Sequence, residues 1–402
     1  MLALPPYILY LLTFVCALFT SLVSIPRIIY VTKRKKLYDK PDGERKLHLN
    51  TIPNLGGIGI FFSYITITSL FISIADKGNP GLHISDYWNY IIASSIVLFL
   101  TGINDDLVSL SAKKKFVAQF IAAVITICLA HKDIRLEDTD IFRINSLHGL
   151  FGIQDMPYWY GVAFTVIGCV FVTNAFNLID GIDGLAGSIG VLVTFLLGMG
   201  FAMLNNISAA VMSFSLMGAI IGFLKFNMAP AKIFMGDTGS LLIGFTIALL
   251  CIVFLHAYPK PDVHTNLSKY VHTHKGATLV VLSLLFVPVF DSFRVFASRI
   301  IKGGSPFKAD RNHLHHYLLD LGYTHPSSVT ILVISNILII IVALLVQDME
   351  PNIALGSIIA VATSLFAILY YLRRKKLARH REIIMRRNAG SQPGSTLKPS
   401  VN

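Results

Sequence analysis

The chain has 402 residues, 54% of them hydrophobic and only 14% charged, and its mean hydropathy of +0.66 excludes the two or three soluble domains that its length would otherwise suggest. The net charge of +12, from 34 Lys and Arg against 22 Asp and Glu, falls in short clusters between long apolar runs, the pattern of membrane orientation signals rather than of a nucleic-acid face. Four cysteines (Cys16, Cys128, Cys169, Cys251) lie inside apolar stretches without CxxC or Cys/His ligand spacing, which argues against a disulfide scaffold and a structural zinc site.

A bilayer-spanning helix needs about 20 mostly apolar residues. On that scale eleven spans are predicted, near 7–31, 55–75, 89–104, 116–131, 158–176, 185–204, 207–225, 239–257, 277–298, 328–347 and 353–372, making an all-α polytopic membrane protein. The third, fourth and fifth are short and abut polar clusters, as where a helix ends early against a water-filled site. No positive segment precedes the first span; Arg27, Lys33, Arg34, Lys35 and Lys36 come at or after its end, the reverse of a cleavable signal peptide, so an external N-terminus is expected. Threaded from there, the loops after odd-numbered spans, with Arg27 and the C-terminal tail, carry 27 of the 34 basic residues. The positive-inside rule puts those loops in the cytoplasm. Residues 1–372 then form one integral membrane domain and 373–402 a basic cytoplasmic tail, disordered in its Ser/Pro/Gly-rich end. The 132–157 and 258–276 loops read as small extracytoplasmic connections.

The polar clusters, taken in chain order, fall on one side of this topology. The first cytoplasmic loop carries Arg45, Lys46 and His48, which read either as substrate contacts or as a basic loop touching anionic lipid. Asp105 and Asp106 end the third span; about 100° apart on a helix, one can face a metal and the other a second group, unless they are a solvated helix terminus. Lys113, Lys114 and Lys115 read in the same two ways as the first loop, though Lys113, eight residues past Asp105, can turn back toward it. After the fifth span come Asn177, Asp180 and Asp183, which share a face if the stretch is helical; an ordinary Asp-Gly turn is the plainer reading. Asp237 opens the eighth span in Met235-Gly236-Asp237-Thr238-Gly239-Ser240, either as a simple N-cap or at a helix terminus whose free N–H groups favour phosphate. After the ninth span, Arg311, His313, His315 and His316 lie beside Lys302 and Lys308, a cationic loop suited to an anion. Hard oxygen donors without cysteine suggest Mg²⁺ or Mn²⁺. An acidic metal site, a cationic loop and a membrane body on one side suit phosphoryl transfer between a soluble nucleotide and a lipid.

At these motifs the sequence resembles the polyprenyl-phosphate N-acetylhexosamine-1-phosphate transferases, relatives of phospho-N-acetylmuramoyl-pentapeptide transferase. The resemblance runs from Arg45-Lys46-Leu47-His48, Pro53 and Gly56-Gly57 through DDL, NAFNLIDGIDGLAG and FMGDTGS to SPFKADRNHLHH, most of residues 40–325. The DRNHLHH form is similar to the branch that transfers GlcNAc-1-phosphate to start O-antigen, common-antigen or teichoic-acid linkage synthesis.

The resemblance implies a bacterial inner-membrane enzyme, active site toward the cytoplasm, that uses Mg²⁺ to transfer GlcNAc-1-phosphate from UDP-GlcNAc to undecaprenyl phosphate and releases UMP. It implies catalytic roles for Asp105, Asp106, Asp180, Asp183 and Asp237, with Asp237 and Asn177 as metal ligands and Asp105 nearest the lipid phosphate. Substrate contacts fall to Asn177, Lys113, Arg311, His313, His315 and His316, and to Arg45, Lys46 and His48; a homodimer is a family-level expectation. Another UDP-N-acetylhexosamine, such as UDP-GalNAc, is the alternative donor, because no motif reads the configuration of the sugar. A CDP-alcohol phosphotransferase lacks its downstream aspartates here, and an ion-coupled transporter would place ionisable groups near the bilayer midplane.

Overall fold

The computed structural model describes residues 5–37, 52–75, 87–130, 141–258, 264–303 and 312–389. Among them there is no strand, only an isolated antiparallel bridge between Ser146 and Asp155. The helices, in chain order, are α1 (Pro6–Lys35), α2 (Gly56–Ala75), α3 (Trp88–Val108), α4 (Ala112–Cys128), α5 (Tyr158–Ile179), α6 (Leu185–Met203), α7 (Ile207–Asn227), α8 (Gly236–Ala257), α9 (His274–Leu284), α10 (Phe286–Ile301), α11 (Leu314–Asp320), α12 (His325–Val346) and α13 (Pro351–Ala389). The protein is an all-α polytopic membrane protein.

Among the described residues the spans number fewer than eleven. Nine of the described helices are long and apolar enough to cross a bilayer, and ten crossings result if α9 and α10, bent by 68° at their junction, make one. The predicted fourth span is the 17-residue α4, whose first turn holds Lys113, Lys114 and Lys115 and leaves too short an apolar length. The final span and the start of the basic tail are one element, for α13 runs 39 residues to Ala389 through Leu, Arg, Lys, Ala and Glu, all strong helix formers.

Position in the bundle follows from which faces are apolar. α7 and α8 are apolar all round, so neither can present a polar face to water, and both lie at the centre; every residue of α8 from Thr238 to Val253 is buried. α1, α3, α12 and α13 lie farther out and leave large apolar side chains such as Phe19, Leu100, Ile334 and Ile368 exposed, the surface that hydrocarbon would cover. A second cluster, Leu279, Ile339, Ala343, Ala354, Ile358 and Ala362, ties α13 to α9 and α12. The C-terminal ends of α3 and α5 and the N-terminal ends of α2 and α8 converge at one end of the bundle. There the chain at 53–57 zips onto the segment before α8: Phe234 N–H donates to Pro53 O (2.8 Å), Gly56 N–H to Phe234 O (3.0 Å) and Gly57 N–H to Met235 O (2.8 Å).

Candidate active site

Asp237 lies at this convergence with both carboxylate oxygens engaged. Asn177 Nδ2, from the last turn of α5, donates to Asp237 Oδ1 (2.9 Å) and also to Ser240 Oγ (2.9 Å). Lys115 Nζ, from the first turn of α4, donates to Asp237 Oδ2 (2.7 Å) and to Asp105 Oδ2 (3.0 Å), so one ammonium bridges carboxylates from two helices. Asp105 Oδ1 accepts from Leu110 N (2.6 Å), which folds the short α3–α4 link back on the carboxylate.

Asp106 does something different from its neighbour. Its Oδ1 accepts from Asp237 N (2.7 Å), and its Oδ2 accepts from Thr238 N (3.2 Å) and Thr238 Oγ1 (2.6 Å). The first turn of α8 has no cap of its own, since the N-cap position is Met235, so a carboxylate from α3 supplies it from outside. Two expectations change as a result. Asp237 is not the N-cap, which leaves its side chain for other work. Of the N–H groups of Thr238, Gly239 and Ser240, read from the sequence as favouring phosphate, that of Thr238 is already satisfied by Asp106, as is that of Asp237. Gly236 makes the arrangement possible: its φ is +71°, and a Cβ there would overlap Asn54 O and the Asp106 carboxylate.

Asp180 and Asp183 do not share a helix face. α5 ends at Ile179, Asp180 is its C-cap with φ −75° and ψ 46°, and Gly184 with φ +82° starts α6, so the two aspartates lie in a turn between helices. Asp180 faces the other carboxylates. Its carboxyl is pushed up to about 7, first by burial and then by the charges of Asp237, Asp106 and Asp183. Asp183 is buried and turned toward other elements, accepting from Ala231 N (3.2 Å) and lying 3.4 Å from His325 Nδ1.

The histidines also divide. His313 Nδ1 is 2.9 Å from Asp291 Oδ2, and both residues are buried. Asp291 Oδ1 accepts from Leu314 N (3.1 Å) and from Arg294 Nη2 (2.7 Å). His313 is thus tied down at the start of α11. His315, 3% exposed, packs directly on Gly181, where any Cβ would overlap its imidazole; His316 lies beside it with ring centroids 4.3 Å apart. Burial, then the neighbouring His316, pushes the His315 imidazole down to about 3, so at neutral pH it meets an anion as a neutral ring.

Asp105, Asp180, Asp237, Asn177 and the His315–His316 pair therefore collect around one end of α5 and α8. Lys113 is exposed, and Lys115 makes the carboxylate contact instead. Arg45, Lys46, His48 and Arg311 lie outside the described residues. Asp291 and His325 are the site-forming residues that sequence reasoning passed over, and Lys115 was grouped with its neighbours without being singled out. Asp291, an acid within an apolar span with Arg294 one turn on, carried the stronger signal. A polar cavity of about 990 Å³ at the other end of α5 and α8, lined among others by His148, His256 and His274, has Asp155 as its single carboxylate and lies the length of buried α8 away.

Residues 88–255, which run from α3 to all but the last two residues of α8 and hold Asp105, Asp106, Asp180, Asp183 and Asp237, match glycosyl transferase family 4. The chain matches that family over 168 of its 402 residues. It is a membrane-embedded phosphotransferase. It is 29% identical over 337 residues to the "Probable undecaprenyl-phosphate N-acetylglucosaminyl 1-phosphate transferase" of Bacillus subtilis (strain 168), covering 83% of this chain and 84% of that protein. It is 28% identical over 377 residues to the undecaprenyl-phosphate alpha-N-acetylglucosaminyl 1-phosphate transferase of Escherichia coli (strain K12), covering 91% and 93%. The decaprenyl-phosphate N-acetylglucosaminephosphotransferase of Mycobacterium tuberculosis (strain CDC 1551 / Oshkosh) is 29% identical over 304 residues, covering 72% and 70%.

Proposed function

We propose that the chain transfers GlcNAc-1-phosphate from UDP-GlcNAc to undecaprenyl phosphate, forming undecaprenyl-diphosphate-GlcNAc and UMP, at the cytoplasmic face of a bacterial inner membrane. The observation that carries this reading is the Asp105–Lys115–Asp237 bridge: two carboxylates from different helices held around one positive centre, where a membrane-borne phosphate and a soluble diphosphate could both arrive. The relatives' names supply the acceptor and the sugar, and the basic loops supply the side of the membrane.

The donor set suits a hard divalent cation. Asp105 and Asp237 already converge on a cation, and the nearby carboxyl of Asp180 is raised by burial and then by the negative charge around it. Asn177 turns its amide nitrogen toward Asp237 and so orients that carboxylate; it would ligate a cation only through its other amide atom. Among the described residues no group of three or more His, Cys, Asp or Glu is spaced to hold a metal alone. Mg²⁺ binds through one or two carboxylates and takes further oxygens from substrate phosphates. Asp237 and Asp105 would hold it, with Mn²⁺ as a substitute, and when bound it supplies neutralisation of charge on the diphosphate oxygens.

The acceptor is a phosphate monoester with a second pKa of about 6, so near neutral pH most of it is a dianion and needs little help from a base. Its oxygen attacks the β-phosphorus of the donor directly; the bond to the bridging oxygen breaks, and UMP leaves with the electron pair. Asp105 takes the remaining proton of the minority monoanion, Lys115 holds Asp105 and Asp237 at a fixed separation, and the neutral His315, with His316 beside it, offers an N–H donor to the diphosphate.

The test is conversion of labelled UDP-GlcNAc and undecaprenyl phosphate, in detergent, to a lipid-extractable product plus UMP, run with Mg²⁺ and with EDTA. Product only with Mg²⁺ is expected. Product from UDP-GalNAc alone would move the sugar assignment. Release of UMP with a phosphorylated enzyme before acceptor is added would replace direct attack by a double displacement.

A further inference from the structure

The histidine helix α11 has seven residues, too few to hold a helical shape by itself. Its pose must come from tertiary contacts, and two buried or half-buried charge networks provide them. At its start, Asp291 of α10 holds His313 and the N–H of Leu314, while Arg294 binds Asp291 and donates to Asn312 O. At its end, Arg373 of α13 donates through Nε to Asp320 Oδ2 (2.8 Å), with Nη2 2.7 Å from the same oxygen. Between the two, the buried ring of Tyr317 has the Arg373 guanidinium 3.9 Å and the Arg294 guanidinium 5.3 Å from its centroid, and Arg294 also lies 4.5 Å from the Phe366 ring on α13.

Arg373 is the first residue after the apolar part of α13, and it lies outside the apolar cluster that fastens α13 to α9 and α12. From there it reaches the helix whose His315 packs on Gly181 beside the carboxylates. We infer that Arg373 is a positioning residue for the active site: the C-terminal helix, through Arg373, Asp320 and Tyr317, sets where His315 and His316 stand against the donor diphosphate. The inference deepens the transferase reading and rests on it for the identity of the substrate, but the clamp itself is a physical contact that can be measured without turnover.

The experiment uses the full chain in detergent, with Arg373→Ala, Arg373→Lys, Asp320→Asn and, as a control, Arg374→Ala, whose side chain is exposed. Arg373→Ala is expected to raise KM for UDP-GlcNAc about tenfold and leave KM for undecaprenyl phosphate unchanged, the fold-change for losing a charge-assisted contact that bears on one substrate. Arg373→Lys keeps the charge but not the fork and should recover to within about threefold of the parent. Hydrogen–deuterium exchange should rise in peptides over 312–321 and stay constant over α5 and α8. A fall in kcat with both KM values unchanged would mean that α13 only stabilises the fold, and unchanged exchange over 312–321 would remove the clamp altogether. If the parent protein turns over no UDP-sugar, the transferase reading fails while the exchange measurement still decides the clamp.

Discussion

Replacing Asp106 with Asn separates a carboxylate that builds the site from one that acts in it. In the parent, three donors converge on Asp106: Asp237 N at 2.7 Å, Thr238 N at 3.2 Å and Thr238 Oγ1 at 2.6 Å. The amide keeps one acceptor oxygen. If that oxygen stays on Asp237 N, the new NH₂ faces an N–H and a hydroxyl, one of which rotates away while the other loses its partner. Losing charge assistance on these bonds and leaving one donor unpaired costs about 2–3 kcal/mol, in line with the loss of a strong helix cap. For a chain of this length that amounts to a fall in Tm of about 3 °C, measurable by thermal unfolding in detergent. Because Asp237 is the residue capped, kcat should fall in the same variant by about tenfold, while Asp105→Asn, which can keep its oxygen on Leu110 N and uncaps no helix start, should lower kcat with a smaller fall in Tm. An Asp106→Asn protein as stable as the parent but as inactive as Asp105→Asn would refute the cap and return Asp106 to direct contact with substrate.

Asp105→Asn should lower the rate severely below about pH 6, where the acceptor phosphate is largely the monoanion, and less above it; a pH–rate profile in parallel with the parent checks this. Lys115→Met should reduce kcat/KM by about a hundredfold, since Asp105 and Asp237 are then left to repel each other, and Lys115→Arg should restore part of it in the same assay. Asp180 carries a carboxyl raised from 3.8 to about 7, so the folded protein keeps a proton that the unfolded chain has lost; its contribution makes stability fall as pH rises from about 4 to about 7, with no further change above. Asp180→Asn should flatten that slope and raise Tm at pH 7.5 in EDTA, and an unchanged slope would show that Asp180 ionises normally.

Much of this protein was legible from residue order alone. Apolar runs of about 20 residues have nowhere to go but a bilayer or a buried core, so the spans and the all-α class follow from composition. The polar clusters at 102–107, 174–184, 234–240 and 310–316 stand out because polar groups at the edge of such runs are costly unless used. The clusters themselves were therefore visible before any fold.

What each residue does within them was settled by packing. Lys113 and Lys115 are two apart, about 200° around a helix, so only one can face Asp105, and which one depends on how α4 rolls against α3. Asp105 and Asp106 are chemically identical neighbours, yet one meets an ammonium and the other caps α8, because α8 starts where α3 ends only in the folded bundle. Asp180 and Asp183 part company because α5 stops one residue before Asp180, and His313 and His315 because Asp291, 22 residues before His313 in sequence, reaches only one of them. Residue order determines which groups must leave the hydrocarbon; the tertiary structure alone decides which of them meet, since hydrogen bonds and charge pairs act over about 3 Å and sequence distance carries no information at that range.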